Sequence, residues 1–474
     1  MSFAEYVHYD GVGLAELVRR REVSAATLVE AAIERIERHN GVVNAVVHKA
    51  YDEARAAAKG AQAGPFAGVP FLIKDLGLKV KGWPRTSGSR FACVDADAED
   101  SELVKRYRAA GVVLLGKTNT PEFGIPGVTT SARLGPCRNP WNPDHISGGS
   151  SGGAAAAVAS GMVPLAHASD GLGSIRIPAA CCGLVGLKTT RDRNPNGSDD
   201  YDRAIGFSVD HVVSRSVRDS AAMLDATGYP QADSPYAPPP KAGPYLDEVS
   251  KSAGKLRIAW STETATGNPV DAEVRSALEA TAQTFAQLGH DVREEGLGID
   301  YRALYRAQGL VSAANFSANI KRWIEIKGRE PGEDIEGLAR RAYEHGKQIS
   351  GQDAMWGWQQ LRVMNRQILS RFETWDIYMT PVLCTPPPRV DYLDTLTDDL
   401  RAFDKRQAAT FGFTPPFNMT GQPSISLPLA QSAADLPIGV MFTARYADEA
   451  TLFRLAGQLE KEMPWTARTP PVWG

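Results

Sequence analysis

Two serine-containing turns and one lysine are the groups in this sequence whose types and surroundings best suit acyl-transfer chemistry. The first turn is SGGSSGG over residues 147–153, which runs directly into the alanine-rich segment 154–160. The second turn contains Ser174, within DGLGSIRIP, and Lys74 ends the apolar run GVPFLIK. A serine hydroxyl needs a base to act as a nucleophile. A lysine whose ammonium form is disfavoured by burial can supply that base near neutral pH.

The Gly/Ser stretch allows three other interpretations, each of which lacks a required feature. A flexible linker would be followed by polar residues rather than by a helix-forming run. A phosphate-binding loop of the GxxxxGK[ST] type needs a lysine, yet none follows Gly153 until Lys188. Residues 148–152 match the GxSxG nucleophile elbow, but the preceding RNPWNPDHI indicates a loop rather than the strand that the elbow needs. His290 and His345 remain formal partners for such an elbow, and no histidine follows His345.

Ser174 lies in a turn that can also supply an oxyanion hole. The peptide N–H groups of Gly171, Leu172, Gly173 and Ser174 converge on one point if the turn is tight. Each key donor of this kind stabilises the transition state by about 3–4 kcal/mol. Lys74 by itself has an ordinary explanation, a stem that packs on apolar surface while the ammonium reaches water. Because the sequence also contains two serine turns and no suitable histidine, we favour the role of general base for Lys74.

The overall composition is that of an ordinary soluble globular protein. The 474 residues are 43% hydrophobic and 23% charged, with a formal net charge of −3. This balance gives no reason to expect nucleic acid or an anionic membrane as a partner. We expect no signal peptide, no spanning helix and a cytoplasmic location. The five cysteines contain no CxxC pair, so we expect reduced thiols, no metal and no cofactor.

Strand and helix patterns alternate along the chain and predict an α/β fold with a mixed sheet covered by helices on both faces. Apolar runs predict strands at 68–73, 111–117, 256–260 and 290–295. Helical patterns cover a segment capped by Ser24, and the segments 101–110, 154–160 and 270–288. Residues 229–255, rich in Pro, Ala and Ser, predict a surface loop.

Residues 300–373 predict several helices with a high content of aromatic side chains. These aromatic residues are Tyr301, Tyr305, Phe316, Trp323, Trp356 and Trp358. Periodic aromatic residues are more often core than pocket, yet a late helical insertion also suits a cap that shapes the substrate site. We predict a single domain over 1–474, with a catalytic core over about 64–215 and 375–465 and the cap over about 300–373.

Five segments, in this order, resemble the amidase signature family. They are GVPFLIKD (68–75), GKTNTPEFG (116–124), RNPWNPDHISGGSSGG (138–153), SDGLGSIRIPAACCGLVGLK (169–188) and PPFNMTGQPSISLPL (415–429). Within that family the chain looks most similar to the nylon-oligomer cyclic-dimer hydrolases and related hydrophobic amidases and urethanases. The resemblance implies the amidase-signature fold and an enzyme that cleaves carbon–nitrogen bonds other than peptide bonds.

The resemblance also implies a Ser-Ser-Lys triad. Ser174 would be the nucleophile, Ser150 the bridging serine after a cis peptide bond with Gly149, and neutral Lys74 the ultimate base. An acyl-enzyme would form on Ser174 and be hydrolysed by water, while protons pass through Ser150 to Lys74 and back.

Further positions carry over from the family or follow from the aromatic content of the cap. Ser151, Asp170 and Arg176 match positions that hold the two turns together. Gly124 matches a backbone position that lines the substrate site. We expect Phe316 and Trp356 of the cap to contact the substrate.

Two departures from the family pattern bear on the substrate. Leu172 replaces the first of two glycines before the nucleophile, which favours hydrophobic over small polar amides. Phe411 stands where the glutamine-hydrolysing subunits of tRNA-dependent amidotransferases carry an aspartate. We therefore predict a hydrolase of hydrophobic amides (linear, cyclic or anilide), with carbamates and esters open to the same chemistry. The alternatives are an amidotransferase subunit and a non-catalytic relative. Homodimers are frequent in the family, but no interface is evident in the sequence.

Overall fold

The computed structural model describes residues 3–60, 63–195, 203–232, 234, 236–264 and 267–473. Within them, thirteen strands form three sheets. The strands are β1 Val46–Lys49, β2 Pro70–Lys74, β3 Val113–Thr118, β4 Arg138–Asn139, β5 Asn142–Ile146, β6 Leu165–Asp170, β7 Val185–Lys188, β8 Val209–Ser214, β9 Arg257–Trp260, β10 Asp291–Glu294, β11 Ile377–Pro381, β12 Ser424–Gln431 and β13 Pro437–Ala444.

The helices flank these sheets and are distributed along the whole described chain. They are α1 Gly11–Arg19, α2 Ala25–Val43, α3 Tyr51–Ala57, α4 Glu102–Ala109, α5 Gly152–Ala159, α6 Arg176–Cys182, α7 Val217–Thr227, α8 Tyr245–Glu248, α9 Ala272–Gln287, α10 Tyr301–Lys327, α11 Gly337–Gln348, α12 Gly351–Arg371, α13 Leu400–Thr410, α14 Pro416–Thr420 and α15 Glu449–Glu462. Short 3₁₀ turns occupy Ala4–His8, Glu122–Gly124 and Gly332–Asp334.

The large sheet has eight strands in the order β10-β9-β11-β13-β12-β7-β8-β6. The pairs of β9 with β10 and with β11 are parallel, and the other five pairs are antiparallel. Strands β7, β8, β11 and β13 are buried along their whole length, because helices pack against them. The prediction of a mixed α/β fold with a helix-covered sheet is confirmed.

Strands β2 and β3 lie in a separate three-stranded sheet, in the order β1-β3-β2. Strand β2 runs beside β6, the edge strand of the large sheet. At this junction the backbone N–H of Lys74 donates to Nδ1 of His167, 3.2 Å away. A side chain thus takes the place of a ladder hydrogen bond where the two sheets meet, and the end of β2 is held against β6.

The local predictions hold with two exceptions. The Ser24 hydroxyl caps α2 by accepting from the N–H of Thr27. Residues 142–146, expected to be loop because of their prolines, form strand β5, which pairs with β4 in a two-stranded ribbon. The segment 229–255, expected to be surface loop, contains the short helix α8, whose Tyr245 is buried against Phe453.

The region predicted as a helical cap is formed by α10, α11 and α12, so its helical character is confirmed. The division into one domain with a core and a cap stays a prediction. Among the described residues no helix is long and apolar enough to cross a membrane. All five cysteines are free thiols, four of them buried, and Cys93 is partly exposed.

Candidate active site

Lys74 is a fully buried lysine at the end of β2. Its Nζ lies 2.7 Å from Ser150 Oγ, 2.8 Å from Ser151 Oγ and 3.0 Å from Ser169 Oγ. The apolar strand β2 directs the side chain inward, because every residue of the strand is buried. Three hydroxyls therefore surround the amine in place of water.

The surroundings of Lys74 disfavour its charged form. Burial is the largest cause, and the nearby guanidinium of Arg203 adds to it, while the carboxylates of Asp210 and Asp170 oppose the shift. The net result lowers the pKa of Lys74 from 10.5 to about 7. A large share of the amine is then neutral near pH 7 and can accept a proton.

The turn before α5 presents Ser150 to Lys74. The Gly149–Ser150 peptide bond is cis. A Cβ on Gly149 would lie 2.5 Å from the backbone nitrogen of Val128, so the close approach of these backbones requires glycine. The Thr129 hydroxyl ties both ends of the turn, since it donates to the carbonyl of Gly148 and accepts from the N–H of Gly152.

Ser174 lies in the turn between β6 and α6, half-buried, and faces the same cavity as Ser150. Gly173, just before it, has φ of +137°, and a Cβ there would lie 2.3 Å from Thr414 Oγ1. The carbonyl of Leu172 accepts from that same threonine hydroxyl at 2.6 Å. The turn therefore needs glycine at position 173 and is fixed from outside by Thr414.

The predicted oxyanion hole is corrected at one position. The N–H of Gly173 donates to Asp170 Oδ1 at 2.7 Å, so this group points at a carboxylate rather than into the cavity. Within the described residues, the N–H groups of Gly171, Leu172 and Ser174 have no protein acceptor. Three of the four predicted donors thus remain available to a developing oxyanion.

Asp170 and Arg176 form a fully buried ion pair beneath the Ser174 turn. The guanidinium Nε and Nη2 of Arg176 lie 2.9 and 3.0 Å from the two carboxylate oxygens. Burial alone would raise the pKa of Asp170, but the charge and hydrogen bonds of Arg176 hold it well below its usual range. Asn418, which the sequence analysis did not single out, donates to both the side chain and the carbonyl of Asp170.

A second buried network, also missed from the sequence, lies behind Lys74. His167 Nε2 is 3.0 Å from Asp210 Oδ1, and Arg203 Nη2 donates to Asp210 Oδ2 at 2.6 Å. Because His167 Nδ1 accepts the N–H of Lys74, Nε2 carries the proton. Burial would raise the pKa of Asp210, but Arg203 and His167 lower it to about 2. The network thus places the Asp210 carboxylate and the Arg203 guanidinium near Lys74.

Ser169 is a further residue that the sequence analysis missed, although it stands in the quoted SDGLGS segment. Its hydroxyl accepts from Lys74, and its N–H and carbonyl both bond the hydroxyl of Ser151. Ser151, predicted to hold the turns together, therefore links β6 to the turn before α5. The available signal was alternation along β6, which puts His167 and Ser169 on one face.

A cavity of about 970 Å³ opens over Ser150 and Ser174. Of the predicted substrate-contacting residues, Gly124 and Phe316 line this cavity, as do Leu172 and Phe411. A Cβ on Gly124 would lie 3.0 Å from Ser150 Oγ, which shows how close this backbone comes to the site. The volume is at the upper end of the range for small-molecule sites.

The position of Trp356 contradicts its predicted contact with the substrate. Trp356, on α12, is 43% exposed and is not among the residues that line the cavity. Its ring instead lies beneath the guanidinium of Arg306 on the surface. Tyr305 and Trp323, on α10, are the aromatic residues of the cap that reach the cavity together with Phe316.

No group of three or more His, Cys, Asp or Glu side chains suited to hold a metal ion occurs in the described part of the chain. Lys74 is the ionisable group that contacts Ser150, and the charges of Arg203, Asp210 and Asp170 act on it from nearby. The arrangement can hold a hydroxyl next to a partly neutral amine, beside free peptide N–H groups. Such a set of groups suits nucleophilic attack on a carbonyl.

Comparison with known proteins gives concordant results in sequence and structure. The family model described as Amidase matches residues 27–453. A 6-aminohexanoate-cyclic-dimer hydrolase of Paenarthrobacter ureafaciens is 37% identical over 98% of this chain and 96% of its own length. A solved structure of 6-aminohexanoate cyclic dimer hydrolase with bound substrate has a TM-score of 0.92, with 35% identity over 99% of this chain and 100% of that one.

A bacterial aryl acylamidase of the same family is structurally similar as well. It has a TM-score of 0.86 and 28% identity over 97% of each chain. A glutamyl-tRNA(Gln) amidotransferase subunit of Thermotoga maritima is more distant, with 23% identity and a TM-score of 0.79 over 100% of this chain and 99% of that one, and shows the fold alone.

Proposed function

This chain belongs to the amidase signature family and is a hydrolase of amide carbon–nitrogen bonds, and we propose that Ser174, Ser150 and Lys74 carry out its reaction on hydrophobic amides. The observation that carries the proposal is the contact of 2.7 Å between Ser150 Oγ and a buried lysine whose pKa is lowered to about 7. Ser174 faces the cavity beside this pair.

In the proposed cycle, Ser174 Oγ attacks the amide carbonyl carbon and gives its proton to Ser150, while Ser150 gives its own proton to Lys74. The N–H groups of Gly171, Leu172 and Ser174 stabilise the oxyanion. The protons then return along the same path to the amide nitrogen, the C–N bond breaks and the amine leaves. Water repeats the attack on the ester and restores Ser174.

The shape and lining of the cavity support hydrophobic substrates. Leu172 lies on the nucleophile turn, and Phe316, Trp323 and Phe411 lie on the other walls. The ring of Phe411 lies where a Cβ on Gly127 would come within 2.6 Å, so it fills the space beside that loop. Such walls favour apolar acyl or amine groups over the charged amino acid moiety of glutamine, and therefore disfavour the amidotransferase alternative. Carbamates and esters remain candidate substrates.

The setting of the enzyme is also part of the proposal. We propose a cytoplasmic enzyme that binds its small substrate without nucleic acid or membrane, and that self-associates, if at all, as a homodimer. Sedimentation velocity of the purified chain at several concentrations tests the last statement, and assembly into a species larger than a dimer would contradict it.

The test of the reaction compares wild type with Ser174→Ala on an aryl anilide, an aryl carbamate, a cyclic amide dimer and glutamine. We expect hydrolysis of the hydrophobic compounds, lost by about 10⁴-fold or more in the variant. Ser276→Ala, on the exposed side of α9, is the control and should keep full activity. Hydrolysis of glutamine alone would favour the amidotransferase function, and an active Ser174→Ala variant would exclude Ser174 as the nucleophile.

A further inference from the structure

Asp210 is a fully buried carboxylate behind Lys74, and both of its oxygens are bound. His167 donates to one oxygen and Arg203 to the other. The chain of contacts continues to Lys74, because His167 Nδ1 accepts its backbone N–H. Among the described residues no carboxylate lies within ion-pair distance of Lys74 Nζ, whose contacts are three serine hydroxyls. Asp210 is therefore bonded to a histidine and an arginine rather than to the lysine.

The arginine changes what Asp210 does to Lys74. A buried carboxylate near a lysine ordinarily stabilises the ammonium form, because opposite charges attract strongly where water is excluded. Besides burial, Arg203 is the main cause that lowers the pKa of Lys74, whereas Asp210 and Asp170 raise it. Each of these carboxylates has an arginine of its own, Arg203 for Asp210 and Arg176 for Asp170. The two ion pairs have no net charge and therefore do little to hold a proton on Lys74.

The other elements that pack on β2 place no competing charge beside Lys74. Strand β3 contributes Lys117, which pairs with Asp75 at 3.5 Å. Helix α5 has no charged residue. The buried ionisable side chain of α2 is His39, which interacts with arginines of its own helix. The balance between Arg203 and the carboxylates therefore dominates the electrostatics of the base.

The turn that carries Arg203 has an unusual backbone conformation. Ala204 and Ile205 have φ of +52° and +60°, and Gly206 follows with +71°. The left-handed region is unfavourable for a residue with a branched Cβ, so contacts around Ile205 must impose it. Arg191 contributes to this, since its Nε donates to the carbonyl of Gly206. Strain of this kind is typical of functional sites.

The segment that follows Lys74 leaves room for the guanidinium of Arg203. Gly77 has φ of +87°, and a Cβ there would overlap Arg203 Nη1. This Nη1 is buried and has no hydrogen-bond partner among the described residues. An unpartnered N–H costs free energy, so hydrogen bonding alone does not explain a guanidinium at this position. Its charge, which salt and water screen only weakly in a buried site, gives a reason.

Resting on the proposed function, we propose that Arg203 is a positioning residue of the reaction, which acts on Lys74 through Asp210 and His167. The charge of Arg203 prevents Asp210 from serving as the counter-ion of a protonated Lys74, so the amine remains available as the base. His167 holds the end of β2 and thereby keeps Lys74 Nζ beside Ser150.

The experiment measures kcat/KM for an anilide as a function of pH in Arg203→Gln, Asp210→Asn and the double variant. Loss of the cation should move the midpoint of the profile from about 7 upward by about one pH unit. Loss of the anion should move it downward by a similar amount. The double variant, in which two amides replace the ion pair, should return close to the wild-type midpoint. Arg203→Lys, which keeps the charge, should also stay close to it.

Arg293→Gln is the matched control and should leave the midpoint unchanged. Arg293 is an exposed arginine paired with Asp291 on β10, at the opposite edge of the large sheet from β6. The proposal is overturned if Arg203→Gln lowers kcat/KM equally at every pH, as a purely structural role would. It is also overturned if the midpoint of Asp210→Asn does not fall, a result that does not require Arg203→Gln to fold.

Failure of the proposed function is visible separately, in a flat wild-type profile or an active Ser174→Ala variant. Urea unfolding then still tests the role of Arg203, because the ionisation of Lys74 affects stability whether or not it is the base. A folded-state pKa below that of the unfolded chain makes the free energy of unfolding rise as pH rises above the folded value. This rise should begin about one pH unit higher in Arg203→Gln than in Arg203→Lys.

The ratio of the unfolding constants of these two variants should therefore change by about tenfold between pH 7 and 8. A ratio that is constant over this range would overturn the proposal.

Discussion

The two walls of the cavity are built in different ways. The catalytic wall, formed by β2, β6 and the turns at 147–151 and 171–174, consists of buried polar groups that are bonded to one another. The opposite wall is formed by α10 and α11 of the cap together with α13, and we call it the cap wall. Many of its polar groups are partly exposed, and the buried hydroxyl of Tyr305 has no partner among the described residues. Buried networks hold a fixed geometry, whereas unpartnered groups can adapt to a ligand.

The difference shows which part of the molecule can vary without loss of the reaction. The chemistry depends on contacts such as that of Lys74 with Ser150, which admit no side chain of another size. The choice of substrate depends on residues such as Phe316 and Asn315, whose replacement changes the cavity but not the two serine turns. Variants of the two walls should therefore differ in both the kind and the size of their effects.

The largest expected effect is that of Lys74→Met. Without the amine, the proton of the attacking serine has no acceptor, and we expect kcat/KM for an anilide to fall by about 10⁴-fold or more. An activated aryl ester should suffer much less, because its leaving group needs no proton. Steady-state kinetics on both substrates checks this, and equal losses on the two would contradict a proton relay through Lys74.

The role of Lys74 as the base should also be visible in the pH profile of the wild-type enzyme. Lys74 must be neutral to accept the proton, and its pKa is about 7, so kcat/KM for an anilide should rise with pH through about 7 and then level off. Below the pKa the limiting slope should be tenfold per pH unit. A flat profile between pH 5.5 and 8.5 would show that another group is the base.

The next largest effect is on stability, from Asp170→Asn in the catalytic wall. The substitution leaves Arg176 buried without its counter-charge and weakens the bond to the N–H of Gly173. We expect a loss of about 3–5 kcal/mol in the free energy of unfolding, together with loss of activity. In the cap wall, Asp404→Asn breaks an exposed pair with Arg341 and should cost less than about 1 kcal/mol. Urea unfolding measures the free energy of unfolding of both variants. Similar losses in the two would contradict the proposed difference between the catalytic wall and the cap wall.

A smaller, pH-dependent effect is expected where the two walls meet. Glu122 is buried beside Gly124 and accepts from the Ser89 hydroxyl and from the N–H of Glu336, which precedes α11. Burial is the main cause that raises the pKa of Glu122 from 4.5 to about 7. Between pH 4.5 and about 7, Glu122 is protonated in the folded protein but ionised in the unfolded chain. The free energy of unfolding should therefore fall as the pH rises through this range.

The decrease attributable to Glu122 is roughly 3 kcal/mol, with no further change above pH 7. The Glu122→Gln variant should lack it, because its amide can donate to Ser89 and accept from Glu336 without a charge. Urea unfolding of both proteins between pH 5 and 8 measures the difference. Parallel curves for wild type and variant would exclude Glu122 as the cause.

The smallest effects are expected from two aromatic residues of the cap. Phe316→Ala should change the ratio of kcat/KM for an anilide over a cyclic amide dimer, by about tenfold, because it enlarges the cavity beside Phe123. Trp356→Ala, on the exposed side of α12, should leave the ratio unchanged and alter stability by no more than about 0.5 kcal/mol. A change of preference in the Trp356 variant would show that this residue contacts the substrate after all.

Local sequence patterns predicted the parts of the site that depend on neighbouring residues. The apolar run before Lys74 predicts a buried strand, and the glycines before Ser150 and Ser174 predict tight turns. The resemblance to a family supplied the cis peptide bond and the grouping of the three residues. The strand and the turns are local features within short segments, whereas the grouping of Lys74 with Ser150, 76 residues apart, came from the resemblance alone.

The parts of the site that the sequence did not predict depend on contacts between segments far apart in the chain. Asp210 reaches His167 through the pairing of β6 with β8, and Asn418 reaches Asp170 from α14. The N–H of Gly173 was assigned to the oxyanion because the sequence does not reveal that Asp170 bends back to it. Trp356 was misplaced because an aromatic residue in a helical pattern does not by itself reveal which side faces the cavity.

The distribution of the five cysteines makes the chain a convenient subject for spectroscopy. Burial raises the pKa of Cys137, Cys181, Cys182 and Cys384, which disfavours the reactive thiolate form of these four residues. Cys93 is partly exposed, next to Val94 on the cavity wall, and its carbonyl accepts from Lys327 at the end of α10. A maleimide dye should attach at this one position without mutagenesis, and its fluorescence would report on the cap as a substrate enters.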